Sequence, residues 1–316
     1  MSLMLESYAS APASIGNVGV GFDVLGQAFD AVRDTVTARR EREPGVRLGR
    51  VSGLVDSLPA SCETNTALAA AAALLEAAGQ PFGVSLSIDK GVPLSAGMGG
   101  SASSAVAAAA AVNALLPSPF ATEDLLPFAI AGERVSSDPP PWDNVMASLF
   151  GGLVIAAREE PGFVGRLPTP AGVVSILFHP AARIETRAAR RLLSPSVPMR
   201  LAVEHSRRLA AFVAGCTTGD IRLMRAGLDD ILVEPQREHL LPALPLVKAG
   251  ALAAGAIGCS FSGSGPSVFA WALEEDAGKV AAAMAEGFAR SGLEARCYQA
   301  PVGSPGVRVE RRREAA

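Results

Sequence analysis

The chain is short of the residues that build metal centres and disulfide frameworks: it has four cysteines and three histidines. Cys62, Cys216, Cys259 and Cys297 form no C-x-x-C pair and do not cluster with His179, His205 or His239. That spacing argues against a structural zinc motif. Isolated cysteines serve as small core residues, so a reducing compartment is expected. Charge is sparse too, at 19% of residues with a formal net charge of −3. Nothing in that balance offers a broad basic face, and no nucleic-acid partner is expected. The basic stretch Arg311-Arg312-Arg313 reads as a solvated terminus. Apolar runs are rich in alanine and broken by polar residues or proline, so no membrane span is expected. Met1 to Glu6 carries no basic segment followed by an apolar one, and the expected location is cytoplasmic. A Walker loop is also missing, because the one Gly-Lys pair, Gly278-Lys279, runs into Val280 rather than Ser or Thr.

What is present is 49% hydrophobic residues in a chain of 316, enough for a large core in two domains or one large α/β unit. The most informative stretch is Pro93-Leu-Ser-Ala-Gly97-Met98-Gly99-Gly100-Ser101-Ala102-Ser103-Ser104, followed by an alanine-rich segment. Glycines allow a tight backbone curl, and alanine is the best helix former. A glycine loop opening a helix presents free N–H groups and a positive dipole end, which is an anion site. The hydroxyls of Ser101, Ser103 and Ser104 are placed to cap the helix, touch phosphate or hold magnesium. Taken alone, the cluster reads first as a plain helix start after a flexible turn. Gly97, Gly99 and Ala102 also fit G-x-G-x-x-A, but the dinucleotide motif turns directly from strand to helix. Here Lys90 to Ala96 intervene after the expected strand 84–88, which sets that reading aside.

Along the chain, residues 3–10 alternate as a first strand, and Ala11 to Asp23 reads as a glycine-dense loop. Residues 40–49 read as a polar turn region. Thr66 to Ala78 predicts a helix stopped by Gly79. Thr122 to Val135 predicts another, capped by Thr122, unless Pro127 delays its start. Residues 161–170 read as a linker or exposed hairpin, with a boundary near it. Strands at 173–178 and 268–272 and a closing helix over 276–291 complete the second half. Strands and helices mix without a regular βαβ count, which gives an α+β class.

Ser262-Gly263-Ser264-Gly265-Pro266 is a second glycine/serine loop, and Ala11-Pro-Ala-Ser-Ile-Gly-Asn17-Val-Gly-Val-Gly21-Phe22-Asp23-Val-Leu-Gly26 is a third. Together the three resemble the motifs of the GHMP small-molecule kinases. The Pro93–Ser104 stretch is similar to P-x-x-x-G-L-G-S-S-A, with Met98 for Leu and Gly100 for the first Ser. The N-terminal loop resembles the homoserine kinase branch. Gly132-Glu133, Asp143-Asn144 before Gly151-Gly152, Thr186 with Arg190, and Glu234-Pro235-Gln236-Arg237 resemble further blocks of that branch, in the right order. The resemblance covers roughly residues 7 to 272. One departure stands out: Pro141 occupies the position of a histidine that the branch places in H-x-D-N.

The resemblance implies a GHMP kinase architecture. An N-terminal domain like ribosomal protein S5 domain 2 would span residues 1–156, and a C-terminal ferredoxin-like domain residues 157–316. It implies ATP and magnesium as cofactors and L-homoserine as substrate, phosphorylated on its hydroxyl in threonine biosynthesis. Nucleotide would be held by Asn65, Pro93, Gly97, Met98, Gly99, Gly100, Ser101, Ala102, Ser103 and Ser104, with Ser101 and Glu133 ligating magnesium. Asn65 reads equally as a helix N-cap. Substrate would meet Asn17, Asp23, Asp143, Arg190, Arg237, Ser264 and Gly265. Arginine suits a carboxylate bidentately and an acid suits an ammonium. Asp23 is the candidate base by position, alongside a mechanism needing none. Ser101, Glu133 and Asp23 form the expected catalytic set, and a homodimer is implied. The competing readings are a kinase of the same superfamily for another small alcohol, and a nucleotide-binding homologue without turnover.

Overall fold

The structure is a computed structural model that describes residues 4–79 and 82–314. In chain order the elements are β1 (Met4–Gly16), β2 (Leu25–Glu41), β3 (Gly45–Gly53), α1 (Thr66–Ala78), β4 (Gly83–Lys90) and α2 (Gly100–Asn113). Next come α3 (Leu126–Glu133), α4 (Trp142–Phe150), β5 (Leu153–Ala156), β6 (Val164–Leu167) and β7 (Val173–Pro180). They are followed by α5 (Thr186–Arg191), α6 (Met199–Thr218), α7 (Ile221–Gly227), α8 (Glu234–Arg237) and α9 (Leu244–Ala253). β8 (Gly258–Phe261), β9 (Val268–Leu273), α10 (Ala277–Arg290), β10 (Ala295–Pro301) and β11 (Arg308–Glu314) close the order.

The strands build two sheets. The first has the path β11-β1-β2-β4-β3, with β5 joined to β2 and β6 to β5. The second runs β10-β7-β9-β8, all antiparallel. Helices separate β7 from β8 and β9 from β10, so the connectivity is β-α-β-β-α-β, the ferredoxin-like arrangement. The α+β class and the expected second-half fold are therefore both observed. The division after residue 156 does not separate the sheets, because β6 and β11 lie beyond it and belong to the first.

Helix α1 starts and stops where its sequence places it. Asn65 caps it by accepting from the Ala67 and Leu68 N–H groups, and Gly79 ends it in the left-handed region that glycine tolerates. Helix α2 is buried all round from Ala102 to Asn113. It packs on β1 and β2 and is flanked by α1, α3 and α4. Its alanines allow that close approach on every side, which is why it carries no clear apolar stripe.

Three expectations change, and of the two starts left open around Pro127 the later one is observed. β1 runs on through Pro12 to Gly16, where a loop was expected, and takes a register shift against β2 between Pro12 and Ala13. A shift of that kind accommodates proline without losing the ladder. The polar stretch near Gly45 is β3, a largely exposed edge strand parallel to β4. Thr122–Leu125 is only a 3-10 turn, and α3 begins at Leu126 with Pro127 in its first turn, where the missing N–H costs nothing. Arg311 to Arg313 are part of β11, hydrogen-bonded to β1, rather than a solvated terminus.

The two sheets share a core. Ile15, Leu25 and Phe29 of the first pack with Phe212 and Trp271 of the second half. The Trp271 indole donates to Gln27 Oε1 at 2.8 Å, so the buried ring nitrogen is satisfied.

Candidate active site

The three glycine loops converge by hydrogen bonds to one another. Ser14 N–H donates to the Met98 carbonyl at 3.0 Å, Gly263 N–H to that of Gly16 at 3.1 Å, and Ser267 N–H to that of Ala96 at 3.2 Å. Ser262 Oγ donates to the Gly97 carbonyl at 2.6 Å, and Asn17 Nδ2 to that of Gly263 at 2.9 Å. Gly97 has φ +71°, and a Cβ there would lie 2.5 Å from the Ser262 carbonyl oxygen. Gly99 has φ +65°, and its Cβ would lie 2.0 Å from Ser14 Oγ. Both positions demand glycine by conformation and by space.

Above the junction lies a cavity of about 520 Å³. It brings together Asn17, Asp23, Asn65, Gly97, Gly99, Gly100, Ser101, Ser104, Glu133, Asp143, Arg190, Arg237 and Ser264. The expected residues Pro93, Met98, Ala102, Ser103 and Gly265 do not line it. Met98 and Ala102 are fully buried. Ser103 turns away and donates to the Ala11 carbonyl at 2.7 Å. Gly265 packs against Phe261.

At one end of the cavity is the N-terminus of α2. Its cap is Gly99, with no side-chain cap, so the first-turn N–H groups are free for an anion. Ser101 Oγ lies 3.1 Å from Glu133 Oε2, which also accepts from Ser136 Oγ at 3.1 Å. Glu133 Oε1 is buried with no hydrogen-bond partner. Burial pushes the Glu133 carboxyl up to about 7 against the pull of the two serines and of Lys90. A buried carboxylate oxygen lacking a partner, beside a hydroxyl and an anion-binding helix end, fits a divalent cation with oxygen ligands. Ser101 and Glu133 would hold it.

Asn65 lines the cavity near Leu58, Pro59 and Thr64. Besides capping α1, it donates through Nδ2 to the Pro59 carbonyl at 2.8 Å. Its side chain is thus committed to shaping the cavity wall.

The other end is charged. Asp143 is buried and accepts from Asn17 N–H at 2.9 Å and from Asn144 N–H at 2.8 Å. Burial and the nearby Asp23 raise its carboxyl to about 7, despite those donors. Asp23 sits at φ 58° and is gripped by Arg190. The guanidinium groups of Arg190 and Arg237 each lie 5.3 Å from the Phe22 ring centroid. Arg237 is buried, and its Nε donates to the Ala189 carbonyl at 3.1 Å. Burial and the like charge of Arg190 lower it to about 10. Two guanidinium groups near one ring, with a single carboxylate that is bidentate on Arg190, leave capacity for a second anion. Pro141, the residue before α4, also lines the cavity.

Sequence reading missed three contributors: Phe22, near both arginines, and the pair Lys90 and Asp34 beneath the first turn of α2. The only trace of the pair in the sequence is that no lysine, arginine or histidine occurs from Gly91 to Glu133 and Lys90 is the basic residue next before that stretch.

The family descriptions "GHMP kinases N terminal domain" and "GHMP kinases C terminal" match residues 65–152 and 209–290. The chain belongs to the GHMP kinase family, on its homoserine kinase branch. It is 45% identical to the homoserine kinase of Xanthomonas campestris pv. campestris (strain B100), over 96% of this chain and 94% of that one. It is 35% identical to the homoserine kinase of Chlorobium phaeobacteroides (strain DSM 266), over 95% and 98% of the two chains. The crystal structure of homoserine kinase from Cytophaga hutchinsonii superposes with a TM-score of 0.93 at 37% identity, over 98% of this chain and 99% of that one.

Proposed function

We propose that the protein transfers the γ-phosphoryl group of ATP to the side-chain hydroxyl of L-homoserine, giving O-phospho-L-homoserine for threonine biosynthesis. The relatives at 35% to 45% identity support it. One structural observation carries it: a single cavity joins an anion-binding helix end to a carboxylate-and-guanidinium set suited to an α-amino acid.

Phosphoryl transfer depends on positioning and charge neutralisation more than on covalent chemistry. The free N–H groups of the Gly97–Ser101 turn would hold the β- and γ-phosphates. Magnesium held by Ser101 and Glu133 would neutralise charge on those phosphates. At the far end Arg237 and Arg190 would take the substrate carboxylate, and Asp143 the ammonium. Asn17 and the turn at Ser264 would align the hydroxyl with the γ-phosphorus. Asp23 spends both oxygens on Arg190, so neither is left to face the substrate hydroxyl. The hydroxyl proton would therefore leave late, to a phosphoryl oxygen. A cytoplasmic location and a homodimer belong to the same proposal; light scattering on a sizing column reads the second.

Pro141 supports a second reading, a kinase for another small alcohol, because it offers the pocket no polar group where the branch has histidine. ADP release with ATP and magnesium, across L-homoserine, L-serine, L-threonine, shikimate and mevalonate, separates the two. Saturable turnover with L-homoserine alone is the expected result. Turnover with a different alcohol would replace the substrate and keep the kinase.

A further inference from the structure

Lys90 ends β4 directly beneath the first turn of α2, and its side chain is almost completely buried. Its ammonium donates to the Gly100 carbonyl at 2.8 Å, to Ser104 Oγ at 2.9 Å and to Asp34 Oδ2. Ser104 Oγ in turn donates to Asp34 Oδ2 at 2.6 Å. The other oxygen of Asp34 accepts from the N–H groups of Gly91 at 3.1 Å and Val92 at 2.9 Å. One carboxylate on β2 thus organises the exit of β4, the entry to the glycine loop and the cation under that loop.

A buried ion pair is poor evidence for stability, since taking two charges out of water offsets much of their attraction. Retaining one here calls for another reason, and its place supplies it. Gly100 is the first residue of α2, and fixing its carbonyl from below fixes the tilt of the peptides whose N–H groups face the cavity. Lys90 also borders the cavity itself, so its charge adds to the helix dipole at the same end. The loop has no other basic residue near it in sequence.

We infer that Lys90, held and aimed by Asp34, is a positioning residue for the nucleotide phosphates. It sets the orientation of the α2 first turn and supplies positive potential beneath it. Ser104 serves this pair and not the phosphate directly, since its hydroxyl is committed to Asp34. The inference rests on the reading that this helix end binds nucleotide phosphates.

The test compares Lys90→Met, Asp34→Asn and the double variant with the wild-type protein. Asp34→Asn is the milder change, because the amide oxygen it introduces still accepts from Gly91 and Val92. Each single variant leaves one buried charge uncompensated and should melt lower; the double variant leaves none and should regain most of that loss. The readouts are calorimetric affinity for a non-hydrolysable ATP analogue with magnesium, and KM for ATP against KM for L-homoserine. The expected result is a double variant that is stable, binds the analogue at least about tenfold more weakly, and keeps its KM for L-homoserine; a charge-assisted contact of this kind carries about that factor. A double variant that binds the analogue like wild type makes the pair purely structural and overturns the inference. Equal losses towards ATP and L-homoserine also overturn it, since they report a general distortion. If the wild-type protein itself fails to bind the analogue, the nucleotide reading falls first and the inference with it. Should the single variants not fold, the double variant alone carries the comparison.

Discussion

Arg190 holds Asp23 through both terminal guanidinium nitrogens, at 2.7 and 2.8 Å, across 167 positions of chain. The pair ties α5 of the second half to the loop after β1. It also occupies the group best shaped to receive a substrate carboxylate. On the proposed function, a bound amino acid would share or replace Asp23 on Arg190, with Arg237 completing the grip.

Arg190→Ala should raise KM for L-homoserine about 30- to 100-fold, the range for losing a bidentate charged contact of about 2–3 kcal/mol. KM for ATP should not move. Arg190→Lys should recover only part of the loss, since an ammonium cannot reproduce the planar fork. Steady-state kinetics in both substrates check this; an equal rise in the two constants would remove Arg190 from the substrate end.

Glu133 and Asp143 predict how stability depends on pH. Both carboxyls are raised from ordinary values of 4.5 and 3.8 to about 7 by burial first. A carboxyl whose folded-state value lies above its unfolded value favours the native state most at low pH. That contribution is complete below the unfolded values and disappears as pH rises through 7. The ligand-free protein should thus lose part of its melting temperature between pH 5 and pH 8, and Glu133→Gln should flatten the slope. Magnesium with nucleotide should reverse the trend by selecting the Glu133 carboxylate, releasing a proton that calorimetry in buffers of different ionisation enthalpy detects. The same substitution should lower turnover by at least about 100-fold, as expected when a metal's charge is misplaced by several kcal/mol.

Pro141 lines the cavity without a side-chain donor. Pro141→His should lower KM for L-homoserine by about fivefold, the worth of one hydrogen bond near 1 kcal/mol. It should leave KM for ATP unchanged. A rise in KM instead would show that the cavity is already shaped around the proline.

Gly97 faces the carbonyl oxygens of Ser262 and Gly265 at 2.5 and 2.7 Å from where a Cβ would stand. Gly97→Ala combines that clash with a positive φ, so it should cost more than about 2 kcal/mol in stability. Denaturant midpoints measure it. Nucleotide affinity should fall as well, because the loop would have to shift away from its partner.

Much of the site was legible because it is written in local rules. Asn65 and Gly79 mark the ends of α1, and the glycine clusters announce loops that approach one another closely. What stayed hidden depends on partners distant in sequence. Lys90 and Asp34 are 56 positions apart, and neither lies in a recognisable motif. The grip of Arg190 on Asp23 likewise leaves no mark in either segment. Ser103 looked identical to Ser101, yet its place on the helix turns its hydroxyl towards β1 and away from the cavity. β3 was misread for a different reason: an exposed edge strand buries too little on either face to show alternation, and its polar residues imitate a turn.

β11 lies beside β1, so the first sheet receives an edge strand from residues 308–314, beyond the second sheet in sequence. Residues 1–156 made alone would leave the backbone of Glu6 to Ser10 open on one side, a template for pairing with other chains. During synthesis that edge stays unprotected until the second sheet has been made. The first sheet is therefore completed only after the second, and a cut that disturbs Arg308 to Glu314 reaches β1 through the sheet rather than through any neighbour in sequence.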